Sequence, residues 1–179
     1  MKLLAISGSL RQSSLNTMLL QAAIRLAPDA VDICLCGGLD ELPLFNPDIE
    51  GPEFERPAPL PVLKFRELLQ TADGVIIASP EYAHGVTGVL KNALDWIVGS
   101  GELVGKPVAL LSASGRATIA YAALRETITV MDGQVIDNAS VTISLVEGQD
   151  DVDNILGDKQ KLSLLSDSLL SFIDAIQTR

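Results

Sequence analysis

The chain has 179 residues, 47% of them hydrophobic, and a formal net charge of −10. This length suits one domain over residues 1–179 with a substantial core, and the hydrophobic content excludes a disordered chain. The acidic balance argues against general binding to nucleic acid or to anionic membranes. An anionic ligand would therefore have to be held by a few local groups.

Apolar, β-branched runs alternate with helical patterns along the chain. Strands are predicted at residues 2–6, 31–35, 74–79, 108–112 and 140–145. Helices are predicted at residues 15–26, 61–71, 88–98, 118–131 and 159–177. This alternation is typical of an α/β fold with a parallel sheet between two helical layers. Five strands in one domain favour a flavodoxin-like three-layer sandwich, with a five-stranded parallel sheet in the order 2-1-3-4-5.

A Gly/Ser-rich loop with one arginine, residues 8–16, joins the first predicted strand to the first helix. The free N–H groups and the dipole of a helix N-terminus favour an anion there, and Arg11 can make charge-assisted bonds to phosphate. The loop has neither a Walker nor a G-x-G-x-x-G pattern, which favours a mononucleotide site. Its serines and its asparagine are also ordinary turn and cap residues, so a purely structural loop stays open.

Two further polar loops follow the third and fourth predicted strands. The first begins Ser79-Pro80-Glu81-Tyr82-Ala83-His84-Gly85, and the second is Ser112-Ala113-Ser114-Gly115-Arg116. The carboxyl ends of parallel strands share one edge, and ligands bind where the strand order reverses. The three loops therefore predict one ligand cleft. A proline-rich segment, residues 43–61, is long enough to predict a functional or an Ω-type loop.

The two cysteines, Cys34 and Cys36, fall on one predicted strand without the spacing of a zinc site or a C-x-x-C pair. Reduced thiols and a cytoplasmic location are the expectation. The apolar run at the N-terminus stops too early for a signal peptide, and no apolar run has the length of a membrane span. No metal site is predicted.

Three motifs together resemble the NAD(P)H-dependent FMN reductase family, which includes bacterial quinone and chromate reductases. They are Gly8-Ser9-Leu10-Arg11-x-x-Ser14-x-Asn16, Pro80-Glu81-Tyr82 and Leu90-Lys91-Asn92-Ala93-Leu94-Asp95-Trp96. The resemblance covers about residues 2–131, and residues 42–46 are similar to the family's loop after its second strand. It implies an enzyme that passes a hydride from NADPH or NADH through FMN to a flavin, a quinone or another small acceptor. A non-enzymatic flavodoxin-like electron carrier is the alternative.

The resemblance also assigns the cofactor contacts, and no residue is expected to be catalytic because flavin N5 carries the chemistry. The FMN phosphate would be bound by Ser9, Arg11, Ser14, Asn16 and the backbone N–H of Leu15. The flavin ring would lie against Pro80, Glu81, Tyr82 and Ala83 on one side. On the other side, Ser112, Ser114 and Gly115 would border the ring or the ribityl chain.

This chain departs from the family pattern at a few positions. Ala83 stands where asparagine is common, Thr87 stands where proline is common, and the loop after the fourth strand is poorer in glycine. Packing on the ring and access of the nicotinamide could therefore differ. Family members are commonly dimers or tetramers, which predicts a homodimer or homotetramer with Leu90 and Trp96 near the interface.

The sequence leaves two roles open for several residues near the expected cleft. Glu81 could face the flavin or cap the following helix, and Tyr82 could pack internally or on the flavin edge. His84 could make a structural hydrogen bond or act in the site. Arg116 could attract the phosphates of NAD(P)H or remain a solvated arginine.

Overall fold

The computed structural model describes residues 1–50 and 56–179 of the chain. The strands are β1 Lys2–Ser7, β2 Asp32–Cys36, β3 Gly74–Ala78, β4 Glu81–Tyr82, β5 Gly85–Val86, β6 Pro107–Ser112, β7 Gln134–Val135 and β8 Val141–Thr142. The α-helices are α1 Leu15–Leu26, α2 Pro47–Glu50, α3 Leu60–Thr71, α4 Gly88–Val98, α5 Thr118–Val130, α6 Val152–Gly157 and α7 Lys159–Gln177. Short 3-10 helices lie at Leu39–Glu41 and Asp137–Ala139.

The main sheet has six strands in the described residues, in the order β2-β1-β3-β6-β7, with β8 also paired to β6. All its strand pairs are parallel, which confirms the α/β arrangement. The expected five-stranded order 2-1-3-4-5 is wrong in its strand count. Two short strands share the fifth position, and only β8 lies in the predicted range 140–145.

The place of the predicted fifth strand is divided between β7 and β8 because a 3-10 helix interrupts their pairing with β6. Strand β7 pairs with Pro107 and Val108, and β8 pairs with Leu111 and Ser112. Between them, the Ser140 Oγ accepts the N–H of Leu110 at 3.0 Å and donates to the Ile136 carbonyl. A side chain thus gives the Leu110 N–H the partner that the interrupted ladder does not supply.

Helices cover both faces of the sheet because its central strands are apolar on both sides. Leu3 and Ala5 of β1 pack in one hydrophobic cluster with α1, α6 and α7. Leu4 and Ile6 pack in a second cluster with α3, α4 and α5. Strand β3 is buried along its whole length, as expected for a central parallel strand. The carboxyl ends of β1, β3 and β6 are thereby fixed side by side.

The segment after β2 is held against α4 by polar and aromatic contacts. The Trp96 Nε1 donates to the Pro43 carbonyl at 2.7 Å, and the Phe45 ring meets the Trp96 ring edge-on at 5.1 Å. The Asn92 Oδ1 accepts the Phe45 N–H at 2.8 Å. Trp96 and Leu90, expected near a subunit interface, are each 1% exposed within the single chain. The proline-rich segment contains α2, and its residues 51–55 lie outside the described residues.

Among the helices of the described residues, none combines the length and the apolar character needed to cross a membrane.

Candidate functional site

A cleft of about 560 Å³ opens at the carboxyl ends of β1, β3 and β6, where the strand order reverses. Most residues expected to bind the cofactor line this cleft: Ser9, Arg11, Ser14, Leu15, Asn16, Pro80, Glu81, Tyr82, Ser112 and Ser114. Ala83 and Gly115 belong to the same loops but are not part of its lining. The sequence did not single out Leu145, Val146 and Glu147, which also line it.

The loop after β1 presents hydrogen-bond donors to one end of the cleft. The Ser14 side chain caps α1 by accepting the Thr17 N–H at 3.3 Å. The N–H groups of Leu15 and Asn16 have no acceptor within the part of the chain that the structure describes. Such orphan donors at a helix N-terminus are suited to phosphate oxygens. The structure thus has unpaired N–H donors in the loop for which the sequence predicts an anion site.

Arg11 is ion-paired with Glu147, a contact that the sequence did not predict. The hydrogen bond and the charge of Glu147 raise the pKa of the Arg11 guanidinium. The same pair lowers the pKa of the Glu147 carboxyl, with the hydrogen bond from Arg11 as the main cause. Glu147 follows β8, which pairs in parallel with β6. Its segment therefore ends at the same sheet edge as the three loops, and this position could have pointed to Glu147.

Close packing and side-chain hydrogen bonds lock the three loops together. A Cβ at Gly8 would lie 2.3 Å from the Ser79 Oγ, so only glycine lets these loops approach so closely. The buried Thr87 Oγ1 donates to the Gly8 carbonyl at 2.7 Å. The Asn16 Oδ1 accepts the Ala113 N–H at 3.2 Å. Thr87, one of the departures from the family pattern, thus takes a specific role here.

The loop after β3 is an antiparallel hairpin, which the sequence did not predict. Ala83 and His84 form its turn with φ values of +49° and +60°. Positive φ at both central residues is the pattern of a type I′ turn, which matches the twist of a two-residue hairpin. Tyr82 is 60% exposed beside the cleft, while the His84 side chain is 76% exposed and outside its lining.

Glu81 connects this hairpin to α5. Its Oε2 accepts the Ala120 N–H at 2.8 Å in the first turn of α5, and its Oε1 lies 3.1 Å from the His84 Nδ1. The Ala120 N–H is the main cause that lowers the pKa of Glu81. Glu81 therefore caps a helix as well as lining the cleft, but the capped helix is α5 rather than the following helix α4.

The turns after β1 and β6 share the pattern Ser-x-Ser-x-Arg and the same three hydrogen bonds. In the first turn, Ser7 Oγ donates to the Ser9 carbonyl and accepts the Ser9 N–H, and the Arg11 N–H donates to Ser9 Oγ. The same bonds join Ser112, Ser114 and Arg116 in the second turn. Each turn thus places an arginine at the edge of the cleft.

Residues 1–148 match the model of the NADPH-dependent FMN reductase family. The chain belongs to this family. It is 38% identical to an NAD(P)H-dependent FMN reductase of Pseudomonas aeruginosa, over 94% of this chain and 91% of that protein. It is 30% identical to a quinone reductase of Escherichia coli strain K12, over 99% of this chain and 96% of that protein.

The solved structures agree with this family assignment. FerB from Paracoccus denitrificans, a flavoenzyme NAD(P)H:(acceptor) oxidoreductase, superposes with a TM-score of 0.87 at 26% identity. That match covers 99% of this chain and 97% of FerB. An archaeal flavodoxin, at 14% identity and a TM-score of 0.66, shares the fold alone. As a family member, the chain is an FMN-dependent NAD(P)H oxidoreductase, and the electron-carrier alternative is not favoured.

The residues present in the cleft fit FMN. Its volume is within the range of about 300–1,000 Å³ that is usual for small-molecule sites. One end offers Arg11 and the unpaired N–H groups of α1 to a phosphate. The side formed by Pro80, Glu81 and Tyr82 offers backbone groups and an aromatic ring to a planar heterocycle.

Proposed function

We propose that FMN binds in this cleft with its phosphate at the loop after β1. One observation carries the proposal. Arg11 and the unpaired N–H groups of Leu15 and Asn16 lie at the same end of the cleft. Ser9 and Ser14 add short polar groups at the same end. Arg11 would turn part of its guanidinium from Glu147 to the phosphate, because its five N–H donors can serve more than one acceptor.

The flavin ring would lie between the β4–β5 hairpin and the loop after β6. Pro80, Glu81, Tyr82 and the backbone of Ala83 would border one side, and Ser112, Ser114 and Gly115 the other. Bound FMN supplies the hydride-accepting N5 and carries the redox chemistry. The protein's role is to bind and orient the cofactor. Glu81 joins the hairpin to α5 and so keeps this wall of the site in place.

The names of the relatives and the exposed side of the cleft support a class of molecule that accepts the hydride. Relatives named quinone reductase and NAD(P)H-dependent FMN reductase support a quinone or a free flavin as the hydride acceptor. The exposed Tyr82 ring offers a face on which a planar acceptor can pack. NADPH and NADH are both candidate donors.

The assembly and the location of the protein are also proposals. A homodimer or homotetramer is supported by exposed apolar side chains beside α4 and at the start of α3, among them Leu44, Phe45 and Leu60. A monomer in light scattering at working concentration would contradict it. A cytoplasmic location is supported by two cysteines that form no disulfide.

Rapid mixing of the FMN-loaded protein with NADPH under anaerobic conditions tests the function. We expect the visible flavin absorbance to bleach without any partner protein and to return when a quinone is added. A flavin that binds but is reduced only through a separate reductase would indicate a carrier instead. Purified protein that neither contains nor takes up FMN would contradict the proposal altogether.

A further inference from the structure

We propose that the second Ser-x-Ser-x-Arg turn, residues 112–116, binds a phosphate group of the nicotinamide nucleotide through Arg116. This inference rests on the proposed function and adds a place for the hydride donor. It names the residue that takes the donor's negative charge and the end of the cleft at which the donor enters.

The first observation is that the two turns are built alike. Both follow parallel strands of one sheet, and in both the second serine accepts the arginine N–H at 3.3 Å. The backbone N–H of each arginine is therefore held by the same kind of bond. Both line the cleft.

The second observation is that the turns are too far apart for one small anion to lie on both. Strands β1 and β6 are separated by β3, so the turns begin about 10 Å apart, twice the strand spacing of about 4.7–4.9 Å. FMN has a single phosphate, and the unpaired N–H groups of α1 favour the first turn for it. A second anionic group in the cleft must therefore come from another molecule.

The third observation is that only one of the two arginines has a carboxylate partner. Arg11 has Glu147 as its counter-ion, whereas Arg116 has no carboxylate partner in residues 1–50 and 56–179. The N–H of Ala120, in the first turn of α5, is already bonded to the Glu81 carboxylate. This N–H is therefore taken, and a phosphate at this end of the cleft would be held by the Arg116 side chain, with Ser114 beside it.

The hydride donor is the molecule that brings phosphates to this cleft during turnover. Arginine is suited to them because its planar guanidinium can bond two phosphate oxygens at once. The 2′-phosphate of NADPH and the pyrophosphate common to NADPH and NADH offer the same chemistry. The choice between them is left to the experiment.

The test compares FMN-loaded wild type with Arg116→Gln, Arg116→Lys and the control Arg125→Gln. The control removes one positive charge from α5, the helix that follows the loop of Arg116. Arg125 is partly exposed and forms an ion pair with Asp137. Binding of NADP⁺ and of NAD⁺, which cannot reduce the flavin, is measured by titration calorimetry, and KM for NADPH and NADH is measured alongside. FMN affinity of each apoprotein is measured separately.

For Arg116→Gln we expect about tenfold weaker NADP⁺ binding and a similar rise in KM for NADPH, with little change in kcat. Arg116→Lys should recover part of the loss, while Arg125→Gln and FMN affinity should change by less than about twofold. An effect on NADPH alone would assign the 2′-phosphate, and an equal effect on NADH would assign the pyrophosphate.

Unchanged nucleotide binding and KM in Arg116→Gln would overturn the inference. A loss of FMN affinity in this variant would overturn it too, because Arg116 would then belong to the FMN site. Failure of the proposed function looks different, since the wild-type protein itself would then not bind FMN or not be reduced by NADPH.

Discussion

The guanidinium of Arg11 is paired with the carboxylate of Glu147, 136 residues further along the chain. Both side chains are more than half exposed, so either can turn away at low cost. The backbone under Glu147 is more firmly held, since the Asp150 carboxylate accepts the Val146 N–H at 2.6 Å and pairs with Lys161. Glu147 therefore places a negative charge beside the proposed phosphate position.

The first prediction concerns this carboxylate. Glu147→Gln should tighten FMN binding about two- to fivefold, because the phosphate no longer competes with a negative charge for Arg11. Riboflavin, which has no phosphate, should bind with unchanged affinity. Fluorescence titration of the apoprotein with each flavin measures both constants.

Asp153→Asn is the matched control, since it removes the same charge from another exposed ion pair, with Arg25. Arg25 is in the last turn of α1, whereas the proposed phosphate position is at its first turn, about 15 Å away along the helix. At about 0.1 M salt, charges more than about 10 Å apart are largely screened, so this control should leave FMN affinity unchanged. Weaker FMN binding in Glu147→Gln would mean that Glu147 positions Arg11 and does not compete with the phosphate.

The second prediction concerns acid stability. The pKa of Glu81 lies below its usual 4.5, chiefly because its carboxylate accepts the Ala120 N–H. A carboxyl whose pKa is lowered on folding stabilises the protein above its unfolded-state pKa, and the stabilisation is lost as the pH falls through the folded-state value. The unfolding temperature of wild type should therefore fall more steeply than that of Glu81→Gln between about pH 5 and about pH 3.

Thermal unfolding monitored by circular dichroism checks this, with Glu67→Gln as a control at an exposed carboxylate of α3. The control should follow the wild-type curve. Parallel curves for wild type and Glu81→Gln would show that the contact with α5 contributes nothing that depends on pH.

The third prediction concerns the turn of the hairpin. Ala83 has a φ of +49°, a left-handed conformation that costs alanine more than asparagine or glycine. Ala83→Asn should raise the free energy of unfolding by about 1 kcal/mol, because asparagine tolerates the left-handed region and is favoured in type I′ turns. Ala83→Val should lower it, since a branched Cβ fits this region poorly. Urea unfolding measures the free energy of unfolding of all three proteins. Equal values for the valine and asparagine variants would contradict this prediction.

Much of the fold could be predicted because its signals are local. Helices α1 and α7 begin and end where predicted, since each has an apolar stripe and a side-chain cap, Ser14 for α1 and Asp158 for α7. Strand β3 was predicted from its uninterrupted apolar run. The convergence of three loops at one sheet edge followed from topology alone.

The missed features depend on contacts that the sequence does not display. The β4–β5 hairpin has strands of only two residues and a turn of Ala83 and His84, without the Asn-Gly signal of a type I′ turn. The break between β7 and β8 is caused by a 3-10 helix and bridged by a single hydroxyl, that of Ser140. The ion pair of Arg11 with Glu147 joins residues that only the folded sheet brings together.

The affinity of Arg11→Ala for FMN and for riboflavin tests the central claim that the loop after β1 holds the FMN phosphate. If Arg11 binds the phosphate as proposed, its replacement would remove a charge-assisted bond and leave Glu147 facing the phosphate without a counter-ion. Fluorescence titration should show FMN binding weakened by at least about tenfold, with riboflavin affinity and the unfolding temperature close to wild type. An unchanged dissociation constant for FMN, or an equal loss for both flavins, would contradict the claim.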